Sequence, residues 1–263
     1  MKRLLIFAFA AALPLLFADE ALAWGREGHE TIAKLAERHL TDRARKRIER
    51  YLGNHSIVYY AKWMDEYRNT PEYHFTTYWH TAPVNAELRY DDSLLTSRGN
   101  AVQALEDAIA RLQDYRSLDD STVCVNLKYI IHLVGDMHCP AHVKYTTHNM
   151  KYDVYLGEGS KARKFYVHHV WDNEIIHACR IWSVTEWAEE LDRLSKRERV
   201  AIQQGTPRDW IHDCAVDCEV QFEWAKPNSR LGQDFLNESL PLVESQIRKA
   251  GYRLAAVLNE LFD

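Results

Sequence analysis

The segment IHLVGDMHCPAH, residues 131–142, carries the reading on which the rest depends. His132 and Asp136 stand four residues apart, so a helix presents an imidazole and a carboxylate on one face, from adjacent turns. Pro140 disturbs that helix before His142. The same spacing returns in HHVWD, residues 168–172, as His168 and Asp172. A lone pair of this kind is commonly a hydrogen bond on a helix surface. Two pairs joined by a third histidine beyond a helix-breaking proline are different, because together they exceed the donors that one tetrahedral ion takes. The surplus argues for more than one metal, held between helices as in the metal sites of helical bundles.

Helical patterning extends outward from this segment in both directions. In REGHETIAKLAERHL, residues 26–40, apolar positions recur at helical spacing. TDRARKRIERYLG follows, with Thr41 as N-cap and Gly53 as the residue beyond the C-cap. Ser183-x-x-Glu186 and Ser195-x-x-Glu198 are capping boxes, and Thr206-Pro207 reads as N-cap followed by a first-turn proline. VESQIRKAGYRLAAVLNELF, residues 243–262, predicts a final amphipathic helix. Only DVYLGEGSKARKFYV, residues 153–167, reads as a β-hairpin, two Val/Tyr/Phe-rich runs around a glycine-containing turn. The expected fold is all-α, a single multi-helix domain with a minor β-hairpin. The remaining histidines, His39, His55, His74, His138, His148, His169, His177 and His212, read as core, supporting or surface groups. Of these, His138 and His169 lie nearest the paired ligands.

The N-terminus has the form of a secretory leader. Lys2 and Arg3 precede an apolar run from Leu4 to Ala18, and Ala21-Leu22-Ala23 supplies the small residues of a cleavage site. The run is too short and poorly flanked for a membrane span. Cleavage after Ala23 divides the chain into a signal peptide, residues 1–23, and one domain, residues 24–263. It directs the protein to the periplasm or outside the cell, and leaves Trp24 with a free α-amino group.

The formal net charge of -5 excludes a protein that grips nucleic acid through overall basicity. A phosphate-bearing substrate must be drawn locally, for instance by bound cations. Five cysteines fit an oxidising compartment but leave at least one unpaired within a monomer. Cys214 and Cys218, at helical spacing, are poorly placed to bridge within one helix.

Taken in order, Trp24 and His29 in WGREGH, Asp65 and Arg68 in WMDEYR, His80 in YWH, then His132, Asp136, His142, His168 and Asp172, resemble the secreted zinc-dependent single-strand-specific nuclease and 3′-nucleotidase family of fungal and plant bifunctional type. The resemblance spans the chain from Trp24 to the C-terminal helix. It implies a fold shared with zinc-dependent phospholipase C and three zinc ions in a cleft. The mature N-terminal tryptophan would itself be a ligand, through its α-amino nitrogen and its own carbonyl oxygen. By matching motif, Trp24, His29 and a bridging Asp136 bind one zinc. Asp65, His80, His132 and Asp136 bind its close partner, and His142, His168 and Asp172 bind the third. The resemblance further implies that a metal-bound hydroxide attacks phosphorus, with Asp65 orienting it and Arg68 clamping the phosphate. The third zinc stabilises the departing 3′ oxygen, so that products carry 5′-phosphates. Single-stranded DNA or RNA and 3′-nucleotides are the implied substrates; no protein partner is evident.

Two departures from that family bear on substrate choice. Thr81 follows His80, where the family carries an aromatic on which a nucleobase stacks, a contact worth about 1–3 kcal/mol per base. The Gly-Gly-Asn of the base pocket has no counterpart between His142 and His168. Tyr78, Tyr145, Tyr152 and Tyr155 are alternative stacking surfaces, although each reads more simply as a core or hairpin residue. A phospholipase C would share the fold and most ligands, but that relative normally carries Glu where this chain has Asp172. A zinc-binding protein without turnover is the third alternative, opposed by the complete ligand set and Arg68.

Overall fold

Side-chain caps mark where many of the helices begin. The computed structural model describes residues 24–263, and the predicted leader, residues 1–23, lies outside them. Helix α1 (Arg26–Arg38) leads into α2 (Asp42–Tyr51), whose first turn is closed by Thr41 accepting from the Ala44 N–H; Gly53 then turns the chain with φ +65°. Next come α3 (Trp63–Tyr67), α4 (Ala101–Leu112) and α5 (Asp120–Asp136), the last two capped by Asn100 and Asp119. After the short α6 (Val167–His169) and α7 (Ile175–Cys179), α8 (Val184–Leu191) and α9 (Lys196–Ile202) start at the predicted Ser183 and Ser195 capping boxes. Thr206 caps α10 (Pro207–Cys218), with Pro207 in its first turn; one further turn, α11 (Gln221–Trp224), precedes α12 (Gln233–Phe262).

Helix α12 departs from the expectation at its start. It begins at Gln233 rather than Val243 and contains Pro241. Proline lacks the N–H that a helix interior uses, so local signals favour a later start. Burial of Phe235, Leu236 and Leu240 holds the added turns in place.

The strands are short. Asp153–Leu156 (β3) and Arg163–Tyr166 (β4) form the predicted antiparallel hairpin, with Asp153 opposite Tyr166. Arg230–Leu231 (β5) adds a parallel edge to β3. Elsewhere Ala82–Val84 (β1) pairs in parallel with Val143–Tyr145 (β2), Ala82 opposite Val143. This second pairing has no local sequence signal, yet it brings the chain just after His80 beside the chain just after His142.

Helix α1 packs on α12 and α8, and α4 packs on α5. The core between them includes Ile32, Leu35, Leu105, Ile130, Trp171, Trp187 and Phe262, all essentially inaccessible to solvent. Each such aliphatic side chain contributes about 1.5–3 kcal/mol through burial. Among the described residues no helix is long and apolar enough to cross a membrane. All five cysteines are free thiols, and Cys214 and Cys218 share a thiol–thiol hydrogen bond at 3.7 Å rather than a disulfide.

Candidate metal centre

The last turn of α5 is the meeting point. His132 and Asp136 project from it toward His29 on α1, Asp65 on α3, His80 just before β1, and His142 in the 3-10 turn Pro140–His142 that Pro140 initiates. His168 lies in α6 and Asp172 in the π-helical turn Val170–Glu174 that follows. A π turn carries an extra residue and is common at functional sites; here His168 Nε2 lies 3.1 Å from Asp172 Oδ2. Gly135 makes the α1–α5 approach possible, because a Cβ there would sit 2.7 Å from His29 Nδ1.

Asp136 is the hub. Its Oδ2 lies 3.0 Å from His80 Nδ1 and 3.2 Å from His132 Nε2; its Oδ1 lies 3.4 Å from both His29 Nε2 and His142 Nδ1. Asp65 Oδ1 is 3.6 Å from His80 Nδ1 and 3.8 Å from His132 Nε2. His29 and His132 stack with ring centres 4.1 Å apart. His132 is oriented by its Nδ1–H, which donates to the Ala61 carbonyl at 2.8 Å and so leaves Nε2 as the lone-pair nitrogen facing the cluster. Two donor triplets result, His29/His132/Asp136 and Asp65/His80/His132, each with its donor atoms within 4.8 Å of one another.

A third triplet joins Cys139, His142 and Asp172. His142 Nε2 lies 3.7 Å from Asp172 Oδ1, and the Cys139 thiol donates to that same oxygen at 2.9 Å. Burial first, and the Asp172 charge second, push the Cys139 thiol well above its usual pKa, so it remains a donor. Sequence reasoning passed over Cys139, although it sits between His138 and Pro140 in the decisive segment.

The donor set fits divalent cations. His29, His80, His132, Asp136, His168 and Asp172 are all buried. Yet both His29 ring nitrogens, both Asp65 oxygens, His80 Nε2, Asp136 Oδ1, His168 Nε2 and Asp172 Oδ2 lack a hydrogen-bond partner among the described residues. Buried polar atoms left without partners are costly, and here they converge on shared points. Titration reflects the same shortage of positive charge. Burial alone would raise Asp136, but the His132 and His142 imidazoles outweigh it and hold the carboxyl well below the usual carboxylate range. Burial opposes protonation of His142 as well, but Asp136 and Asp172 overcome it and lift His142 well above its usual value. Burial, reinforced by neighbouring His132, lowers His29 to about 4. Divalent cations would neutralise these carboxylates without needing imidazole protons.

The other predicted residues adjoin this cluster. Arg68 closes α3 at 4% exposure, with Nη1 3.7 Å from Asp65 Oδ1. Trp24 is fully buried, and the next residue's N–H, that of Gly25, donates to the Asp172 carbonyl at 2.9 Å. The tryptophan backbone therefore lies beside the turn that carries Asp172. Arg68, His80, His142 and His168 face a cavity of about 510 Å³, with Thr81 and Lys144 at its wall. Two histidines near the cluster have partners outside it. His138 donates to the Val134 carbonyl and accepts from Arg253 of α12, and His169 lies 3.1 Å from Glu174.

Comparison with known proteins agrees with this geometry. The family described as S1/P1 Nuclease matches residues 24–263. Endonuclease 4 of Arabidopsis thaliana is 26% identical, covering 97% of this chain and 94% of its own. Nuclease S1 of Aspergillus oryzae is 26% identical with 95% of each chain covered, and Nuclease P1 of Penicillium citrinum is 25% identical over 90% of this chain and 97% of its own. With a match running from Trp24 through the buried His/Asp cluster to the final residue, the chain belongs to the S1/P1 nuclease family.

Proposed function

We propose that the protein is a zinc-dependent phosphodiesterase that cleaves single-stranded DNA or RNA to 5′-phosphorylated products and also acts on 3′-nucleotides. The observation that carries this reading is the two buried donor triplets that share His132, with His142 and His168 both set against Asp172 next to them, beside a cavity that also holds Arg68. Family membership and relatives named as nucleases support it. Imidazole and carboxylate donors in near-tetrahedral number suit zinc. Trp24, His29 and Asp136 would hold one ion, and Asp65, His80, His132 and Asp136 a second. His142, His168 and Asp172 would hold a third. When bound, zinc supplies Lewis acidity toward a phosphoryl oxygen and acidifies water from a pKa of about 16 to roughly 7.

The chain's own groups set the geometry of attack. Asp65 accepts a hydrogen bond from the attacking water and aims it. The Arg68 guanidinium, planar and held beside Asp65, meets two phosphoryl oxygens and matches the charge that develops during displacement. Its burial keeps bulk water from competing for those oxygens.

The mature chain is proposed to begin at Trp24, after export and cleavage, in the periplasm or outside the cell. The start of the family match at residue 24 and the burial of Trp24 beside Asp172 support that reading. The test uses protein exported with its leader and purified after cleavage, zinc-loaded, and given a labelled single-stranded oligonucleotide beside phosphatidylcholine vesicles. Chelator-sensitive release of 5′-phosphorylated fragments is expected. Lipid hydrolysis without oligonucleotide cleavage would move the assignment to a phospholipase C, and no hydrolysis of either would overturn a phosphodiesterase.

A further inference from the structure

A nuclease at this centre needs a surface for the bases, and Thr81 offers none beside His80. We propose that Tyr78, with Arg98 packed on its ring and Lys144 beside it, forms a nucleobase-stacking subsite for a single strand entering the metal cleft. The inference rests on the nuclease reading above and adds to it the group that recognises the bases.

The structure separates the four tyrosines that the sequence offered. Tyr145 is buried, with its hydroxyl donating to the Ala215 carbonyl at 2.8 Å, and the Tyr152 hydroxyl donates to the Ala225 carbonyl at 2.6 Å. Tyr155 lies in β3 beneath the Arg230 guanidinium and does not line the metal cavity. Tyr78 alone of the four is a large exposed aromatic, at 45% exposure. It lines the metal cavity and also two adjoining depressions of about 400 and 590 Å³. It therefore stands where the three meet.

Cations surround it in a way that the chain's net negative charge does not predict. The Arg98 guanidinium carbon lies 4.7 Å from the Tyr78 ring centre. The loop that presents Arg98 is anchored, because the Trp79 indole N–H donates to the Arg98 carbonyl at 3.2 Å. Gly99, at φ +75°, permits that contact; a Cβ there would sit 2.7 Å from the Trp79 indole nitrogen. Lys144 lines both the metal cavity and the depression that holds Arg98, and its ammonium makes no hydrogen bond or ion pair among the described residues. Arg68, Lys144 and Arg98 thus lead outward from the metal cluster, with the exposed Tyr78 ring among them. A polyanion whose bases have open faces is complementary to that track, since phosphates meet the cations and a base meets the ring. A duplex keeps its base faces stacked internally, which selects a single strand.

The test is steady-state cleavage by the zinc holoenzyme of an oligothymidylate and of an abasic oligomer of equal length, in wild type, Tyr78→Ala and Tyr78→Phe, with zinc content measured in each. Wild type is expected to show a KM about tenfold lower for the base-bearing strand. Tyr78→Ala should erase that contrast through KM with little change in kcat, and Tyr78→Phe should restore it. Persistence of the contrast in Tyr78→Ala, an equal loss on both substrates, or loss of zinc would overturn the subsite while leaving the nuclease assignment intact. A wild-type enzyme that cleaves neither strand would overturn both.

Discussion

At the scale of single residues, Asp172 shows how much of a candidate metal site lies outside the groups that could hold the ion. One of its oxygens accepts from the Cys139 thiol, while the other lies beside His168 without a hydrogen-bond partner. The thiol therefore fixes which oxygen is left for a cation. Removing groups that orient a ligand typically costs 10–100-fold in metal affinity. Cys139→Ala is accordingly expected to weaken zinc binding by about 10–100-fold in competition with a chromophoric chelator. Cys139→Ser, which keeps a donor, should recover most of the affinity. Equal affinity in all three proteins would show that the thiol does not orient Asp172. That the residues at 132, 136, 142, 168 and 172 belong to one cluster was legible from spacing and from the proline between them. Cys139 was not, because a thiol in sequence reads equally as core, and only the position of Asp172 gives it a task.

At the scale of elements, start signals were legible at Thr41, Ser183, Ser195 and Thr206, whereas the Asn100 and Asp119 caps of α4 and α5 went unread. Ser183, Ser195 and Thr206 make the expected caps because each hydrogen bond lies within one turn and needs no distant partner. Thr206→Ala should cost about 1 kcal/mol and lower the unfolding midpoint by about 2–4 °C for a domain of this size. Calorimetry checks this, and an unchanged midpoint would mean that tertiary packing holds α10 without its cap. The larger features absent from the sequence pattern are long-range. Pairing of β1 with β2 joins segments some sixty residues apart, and the early start of α12 depends on burial of Phe235 and Leu236. The π turn at Val170–Glu174 likewise breaks a local helical rule beside the candidate ligands.

At the scale of the whole molecule, Asp192 ties three helices together. From the end of α8 its carboxylate accepts from Arg38 at 2.8 Å and from the Tyr252 hydroxyl of α12 at 3.1 Å, and it meets His39 at 2.7 Å. Burial alone would raise this carboxyl, but the Arg38 and His39 hydrogen bonds prevail and lower it. A carboxyl held lower in the folded state than its unfolded value near 3.9 stabilises fully above that value. The stabilisation is lost as pH falls through the folded value. Asp192→Asn is expected to cost about 1–3 kcal/mol at neutral pH and to flatten the acid limb of a stability-versus-pH curve. An acid limb as steep as that of wild type would assign acid sensitivity to other carboxylates.

The claim that joins these scales is that Asp136 is shared between ions, so that donors from α1, α3, α5 and the β1–β2 edge act as one centre. The most direct test is zinc stoichiometry, by elemental analysis, in the chain beginning at Trp24 and in its Asp136→Ala variant, both checked for helical content. About three ions per wild-type chain are expected, with loss of the two that share Asp136 in the variant and no cleavage of a single-stranded oligonucleotide by it. A folded Asp136→Ala protein that keeps the full zinc complement would contradict the shared centre.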